Sequence, residues 1–466
     1  MVAMEADEAY FAFNEEPSEE WASPTTTPTI RVYLVCLGSF CCSFMVGGAS
    51  LLAPFLAKSD VGLAIGPTAL GCIFAAFPLA TALGTPLLPW ALERLGSRYT
   101  VSVGLCLLSL SSLAFGLLPL PLFEELGEGP ARVGYALSWQ LVLARIVGGV
   151  GAALCEAGCL TTISGMGWGD HLGKALAGVE LATGSGAALG AAIGGWAYQE
   201  GSALFGEVQY SGLSDSAASF VAPLLVGSAL PLCLLPAVLL TLPTKPADPP
   251  KEEAVEHAPL GRHVTYSRVS VAFSLLCAGA ACEGLNPILA PHFMRPPHQL
   301  DVEQAGLLIS LIAFTYMLVA LPLGWLVDQL NFGQRAGRRL KAVQVCGWAV
   351  TLLAASLLGP ARPLLATAHL SPSIELLAFP LIGIACALKI IPSLPDMQRG
   401  LEEDDERGRA AICATWNGVY CLGSATGPLA SVLMYDGIGW EKTICVLVTV
   451  CVVSAALLST ATVFAD

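Results

Sequence analysis

Charge is what this chain lacks most. Only 12% of its 466 residues are Asp, Glu, Lys or Arg, against about 25% in ordinary soluble domains. Hydrophobic residues make up 55%, and mean hydropathy is +0.68. A water-soluble globule is excluded, and a nucleic-acid binder, which needs a basic face, is not expected. The phosphate-cradling pattern Gly-x-x-x-x-Gly-Lys-Ser/Thr is missing, so a nucleotide site is neither needed nor seen. There is no Cys-x-x-Cys, no Cys/His ligand spacing and no nucleophile-base constellation. No metal, no cofactor and no enzymatic activity are expected. All sixteen cysteines fall within apolar runs, none in an outward loop suited to a disulfide, and they read as small buried hydrophobes.

The chain does have apolar runs of about 20 residues, the length that crosses a bilayer. We read twelve, near 33-57, 67-91, 99-120, 136-165, 175-199, 217-243, 269-293, 303-329, 342-360, 373-397, 409-435 and 441-464. Residues 1-31 are acidic and lead into a full-length span, so no cleavable signal is expected. With the first residue placed inside, fifteen Lys and Arg lie on the cytosolic side and five on the other, out of 22. That bias puts both termini in the cytosol. The formal charge of -14 is no clue to a partner. Half comes from Glu5, Asp7, Glu8, Glu15, Glu16, Glu19 and Glu20, and much of the rest from Glu402 to Glu406, runs that are ordinarily solvated. Tyr10 followed by Phe13 fits a tyrosine-based endosomal sorting pattern, one loose enough to arise by chance.

One pattern occurs twice, 237 residues apart. Gly186-x-x-x-Gly190-Ala191 is followed by Tyr198, and Gly423-x-x-x-Gly427-Pro428 by Tyr435. Glycines four apart share a helix face, where a missing side chain lets two helices touch backbone to backbone in a bilayer. At nearly the same offset, Pro89 to Glu93 precedes a short basic loop as Gly324 to Asp328 does. The chain therefore reads as an all-α membrane protein of twelve transmembrane helices in two pseudo-symmetric six-helix bundles. The expected divisions are a disordered acidic tail 1-31, a first bundle 32-243, a cytosolic linker 244-267 opening on Lys245-Pro-Ala-Asp-Pro-Pro250, and a second bundle 268-466. Parallel repeats with a site between them at mid-membrane are a carrier design.

Pro89-Trp-Ala-Leu-Glu93-Arg94-Leu-Gly96-Ser97-Arg98 resembles the loop motif of the major facilitator superfamily, and Arg145-x-x-Gly148-Gly149-x-Gly151 its fourth-helix motif. Leu176 to Glu180, Asn286-Pro287, Tyr316, Ile390 to Asp396 and Gly423 to Tyr435 resemble the vesicular amine transporter family, and especially its polyamine branch. That resemblance implies a proton-coupled antiporter of small organic cations, with Arg145 tied to coupling. The chain also departs from the family. Cys42, Asn286, Ala387 and Asn417 stand where monoamine members carry acids, and Ala191 replaces the proline of the antiporter signature.

Ionisable groups in a span are costly, at least about 2.5 kcal/mol at mid-bilayer, so each should face a cavity or a partner. Arg145 and Glu156, eleven residues apart on one helix, share a face about 16 Å apart at roughly 1.5 Å per residue. Arg145 is either a structural tie or a coupling residue. Glu180 and Glu283 are the proton-carrier candidates and also suit an amine, because a desolvated carboxyl holds a proton or a cation in exchange. Glu283, Asn286 and Pro287 put a carboxylate, an amide and a proline-freed carbonyl on one face. Lys389 has two readings: a partner of Glu283 across the cavity, or a binder of a negative substrate group. Trp416, Asn417, Tyr420 and Ser424 form a polar-aromatic face to which Tyr316 adds a hydroxyl, suited to cation-π contact.

The candidate substrate set is thus Glu180, Glu283, Asn286, Tyr316, Lys389, Asn417 and Tyr420, and the proton set Arg145, Glu156, Glu180 and Glu283. The gating set is Glu93, Arg94 and Asp328 as a cytosolic latch, with Gly186, Gly190, Gly423 and Gly427 at a moving interface. Small solutes, protons and the bilayer are the expected partners of a monomer in a vesicle, another organelle or the plasma membrane. The alternatives are a facilitator or symporter of an anionic or neutral solute, and a non-transporting receptor.

Overall fold

The computed structural model describes residues 28-50, 65-119, 130-164, 172-206, 215-242, 265-296, 298-331, 333, 335-359, 372-400 and 406-463. The acidic tail with Tyr10 and Phe13, nearly all of the linker and the Glu402 to Asp405 run lie outside them. Every regular element among the described residues is helical. The twelve long helices are α1 Pro28–Ser50, α2 Pro67–Gly84, α3 Leu88–Leu117, α4 Pro130–Ser164, α5 Leu172–Gly206, α6 Asp215–Thr241, α7 Tyr266–Phe293, α8 Val302–Leu330, α9 Ala336–Leu358, α10 Ala378–Ile390, α11 Glu406–Ile438 and α12 Trp440–Val463.

Two helices depart from straight spans. The second continues through the helical turn Thr85–Leu87 to Gly96, where φ of 72° reverses the chain. Only glycine adopts that conformation without strain, and the Thr100 hydroxyl steadies the turn on the Ala91 carbonyl at 3.2 Å. The tenth is preceded by the 3-10 turn Pro372–Leu377 and breaks at Pro392 before a short helix, Ser393–Gln398, because proline supplies no amide hydrogen to the ladder.

Helix packing shows the duplication directly. In the first half α1 packs on α5 and α6, α2 on α4, and α3 on α4 and α6. The second half repeats each pair six helices later: α7 on α11 and α12, α8 on α10, and α9 on α10 and α12. Between the halves α5 packs on α8 and α2 on α11, the two contacts that a two-fold relation exchanges. Apolar side chains such as Leu34, Leu105, Leu108 and Ile163 fill the first half, and Val271, Trp348 and Leu458 the second. Among the described residues nine helices meet a strict length and hydropathy standard for crossing a membrane. α5 and α11 fall short because glycines and polar residues replace aliphatics along them.

The glycine repeat has a precise structural match, and one expectation needs correction. A Cβ on Gly186 or Gly190 would collide with the carbonyls of Phe40 and Phe44 on α1, and one on Gly423 or Gly427 with those of Leu276 and Ala280 on α7. The repeated glycines therefore close α5 onto α1 and α11 onto α7, inside each half. They do not form the contact between the halves, as expected for a moving interface. A helix has several faces, and α5 turns a different one, with Gly184 and Ser185, toward Tyr316 and Met317 of α8.

The cysteine expectation is corrected as well. Cys282 on α7 and Cys386 on α10 are joined as a disulfide, while thirteen others among the described residues are free. The two partners are 104 residues apart, and burial in apolar runs concealed that packing makes them neighbours.

Candidate functional site

At the seam between α5 and α8 the Tyr316 hydroxyl donates to Glu180 Oε2 at 2.6 Å. The helices come close enough because α5 carries Gly184, where a Cβ would stand 3.1 Å from the Tyr316 ring. One residue on, the Ser185 hydroxyl lies 3.0 Å from Met317 Sδ. Glu180 and Tyr316 are both partly buried, so their bond is made where water competes weakly and a charged acceptor strengthens it.

A second group comes from α7 and α4. Asn286 Nδ2 donates to Glu283 Oε2 at 2.8 Å, the i, i+3 geometry expected on one helix face. Arg145 of α4 lies within electrostatic range of Glu283, across the seam. Its guanidinium also sits 4.7 Å from the Phe77 ring centroid and 6.0 Å from that of Phe115, so aromatic faces replace part of the hydration it loses. Arg145 is 7% exposed.

Tyr420 on α11 joins the two groups, lying within electrostatic range of both Glu180 and Glu283. Glu156 of α4 completes the set through Glu180 and Cys421. The sequence-derived residues Arg145, Glu156, Glu180, Glu283, Asn286, Tyr316 and Tyr420 are thus brought together, three from one half and four from the other. Of the three carboxyls, Glu283 lies in range of the Arg145 guanidinium, and Glu156 and Glu180 lie in range of each other. Such a lining can take a cationic ligand, with phenol faces beside it, and each carboxyl can hold a proton when no cation is there.

Lys389 does not belong to this set. It is 2% exposed and its ammonium lies 4.4 Å from the Trp348 ring centroid, near Cys277 and Cys451. It lies between α7, α9 and α12, where it lines a small cavity with Cys282, Leu285 and Cys386, so the Trp348 face takes the place of the expected pairing with Glu283. Trp348 is held in turn by its indole N–H, which donates to Ser274 Oγ at 2.8 Å. Asn417 likewise stays on its own helix, accepting from Cys421 Sγ at 3.6 Å. Trp416 donates to Ser393 Oγ at 2.7 Å and stacks toward Tyr420, a packing role. Of the latch residues, Arg94 is exposed and Asp328 partly buried; the Glu93 side chain lies outside the described residues.

One polar centre was missed from sequence. Lys341 Nζ donates to both carboxylate oxygens of Asp396, at 2.7 and 2.8 Å, and Gln344 Nε2 adds a bond at 3.2 Å. Lys341 is 1% exposed, although it lies just outside the apolar run near 342-360. The signal was present in Lys341, Gln344 and Trp348, which share a helix face at i, i+3 and i+7. Beside this pair Arg268 Nε donates to the Met397 carbonyl and Arg268 Nη2 to that of Arg399, each at 2.8 Å. The C-terminal end of the tenth span is thereby clamped to α7 and α9.

Comparison with known proteins agrees with this architecture. The family model described as "Major Facilitator Superfamily" matches residues 35–272 and 271–464. The chain is 24% identical over 410 residues to the human protein "MFS-type transporter SLC18B1", covering 87% of this chain and 79% of that protein. Among solved structures, the partially occluded inward-open xylose transporter XylE from E. coli superposes with a TM-score of 0.65 at 15% identity, covering 93% of this chain and 97% of that one. The nucleoside transporter NupG, in a mutant form, gives 0.61 at 14% identity, covering 92% and 99%. At these identities the two structures speak to the fold alone.

Proposed function

The chain belongs to the major facilitator superfamily, a transporter and not an enzyme, and on that premise we propose that it exchanges a small organic cation, of polyamine or related amine type, for protons. The observation that carries the reading is the gathering of three carboxyls at the seam: Glu283 in range of the Arg145 guanidinium, and Glu180 in range of Glu156 and bonded by the Tyr316 hydroxyl. An ammonium group and a proton compete for the same carboxylate oxygen. A site that must release one to take the other couples their opposite movements without any further device. Glu180 adds a structural consequence. The amine that takes its carboxylate displaces the Tyr316 hydroxyl, and with it a bond between the halves. The likeness to the human transporter SLC18B1 supports the same direction.

The reading includes both termini in the cytosol, from the Lys and Arg bias, in an organelle or plasma membrane, and a monomeric carrier. It divides the chain into halves 32-243 and 268-466, which the repeated helix pairing supports. Glu93, Arg94 and Asp328, at the ends of the second and eighth spans, remain the proposed cytosolic latch. An anionic substrate is less well supported, since Lys389 lies over Trp348 and away from the acids.

Uptake of labelled spermidine into proteoliposomes, with the interior more acidic than the bath, tests the proposal. Accumulation that collapses with the pH gradient is the expected result. Uptake indifferent to the gradient removes antiport, and no uptake of any polyamine removes the substrate class.

A further inference from the structure

A cluster away from the seam has no part in this reading. At the end of the second half remote from the chain termini, His298 Nε2 lies 3.2 Å and His292 Nε2 3.8 Å from the same oxygen, Glu375 Oε2. The three ligand atoms all fall within 4.8 Å of one another. They come from three elements: the last turn of α7, the turn that follows it, and the 3-10 turn leading into α10.

We propose that His292, His298 and Glu375 form a binding site for a divalent transition-metal ion of zinc type, which ties the end of α7 to the start of α10. Two imidazoles and one carboxylate are a borderline ligand set that suits zinc, whereas magnesium and calcium prefer all-oxygen shells. With zinc–ligand distances near 2.0–2.1 Å, neighbouring ligand atoms in a tetrahedron stand about 3.3 Å apart. The His298–Glu375 separation is close to that value, the His292–Glu375 one exceeds it by about half an ångström, and the two imidazoles, within 4.8 Å of each other, would draw together around the ion.

The ligands are held in place before any ion arrives. His292 stacks face to face on Trp440, with ring centroids 3.7 Å apart and planes 6° from parallel. That contact fixes its plane and leaves the nitrogen edge toward Glu375. Trp440 is itself anchored by its indole N–H on the Leu358 carbonyl at 2.7 Å. The turn carrying His298 is closed by amide bonds from His298 and Gln299 to the Arg295 carbonyl and from Leu300 to Phe293. Side-chain exposure is 5% for His298 and Glu375 but 20% for His292, so entry and a fourth, water ligand belong on the His292 side. Arg295, in the same turn, is engaged with the Tyr435 hydroxyl at 3.1 Å. No residue of the seam cluster is used, so the site stands or falls independently of the transported solute.

The test titrates Co2+, then Zn2+, into purified full-length protein freed of its affinity tag. One equivalent of Co2+, with the visible absorption of low-coordinate cobalt and displacement by Zn2+ but not Mg2+, is expected. His298→Ala and Glu375→Gln should weaken binding at least about tenfold, in line with loss of a ligand contact. Should either variant fail to fold, His292→Cys decides: a sulfur-to-cobalt charge-transfer band supports the site and its absence overturns it. Wild-type protein that binds no Co2+ at micromolar concentration, or folded variants that bind it equally well, overturns it too.

Discussion

Tyr316 on α8 bonds Glu180 on α5 at 2.6 Å, so a carboxyl proposed to carry protons also fastens the two halves together. A hydrogen bond to a charged group contributes about 1.5–3 kcal/mol. Tyr316→Phe should change maximal uptake by roughly tenfold. The double variant with Glu180→Ala should be no slower than the slower single one, because both remove the same bond. Initial rates in proteoliposomes decide, and additive losses would sink the link.

The glycine contacts make a prediction about folding. Gly190→Val drives a side chain into the Phe44 carbonyl, and Gly427→Val into that of Ala280. Both should lose folded protein, seen as aggregation on size-exclusion chromatography, since overpacking rigid backbone costs about 1–3 kcal/mol or more. Gly437→Ala meets nothing within 4 Å and should keep or slightly raise the melting temperature. Equal behaviour of all three would contradict the packing.

For the buried pair, Lys341→Ala or Asp396→Ala alone strands the opposite charge at a fully covered position. Each should cost about 3–5 kcal/mol, whereas Lys341→Met with Asp396→Leu should recover most of it. Thermal unfolding in detergent measures the difference; a double variant worse than either single one would argue against a simple ion pair.

Lys389→Met removes an ammonium seated on Trp348. We expect KM to change by less than about threefold, with the effect confined to stability, because a cation-π contact is worth about 0.5–2 kcal/mol. A tenfold rise in KM would return Lys389 to the substrate site.

The spans and the duplication were legible because both are local: hydropathy shows over 20 residues, and Gly186 with Gly190 repeats as Gly423 with Gly427. What each glycine faces was not local, and the pattern alone did not separate a contact with α1 from one with α8. Lys389 failed for a related reason. Apart from Lys389, α10 is apolar, so nothing else in its sequence tells which neighbour the ammonium faces. Glu180, Glu283 and Arg145 were found because a charge in a span needs a polar setting. His298 and Glu375, 77 residues apart, and the Cys282–Cys386 pair are joined only by the fold.

The most direct test compares wild type, Glu180→Gln and Glu283→Gln in proteoliposomes under two regimes, spermidine exchange without a pH gradient and accumulation driven by one. The account predicts that at least one amide variant retains exchange while losing most gradient-driven accumulation. Both variants accumulating spermidine as wild type does would contradict it.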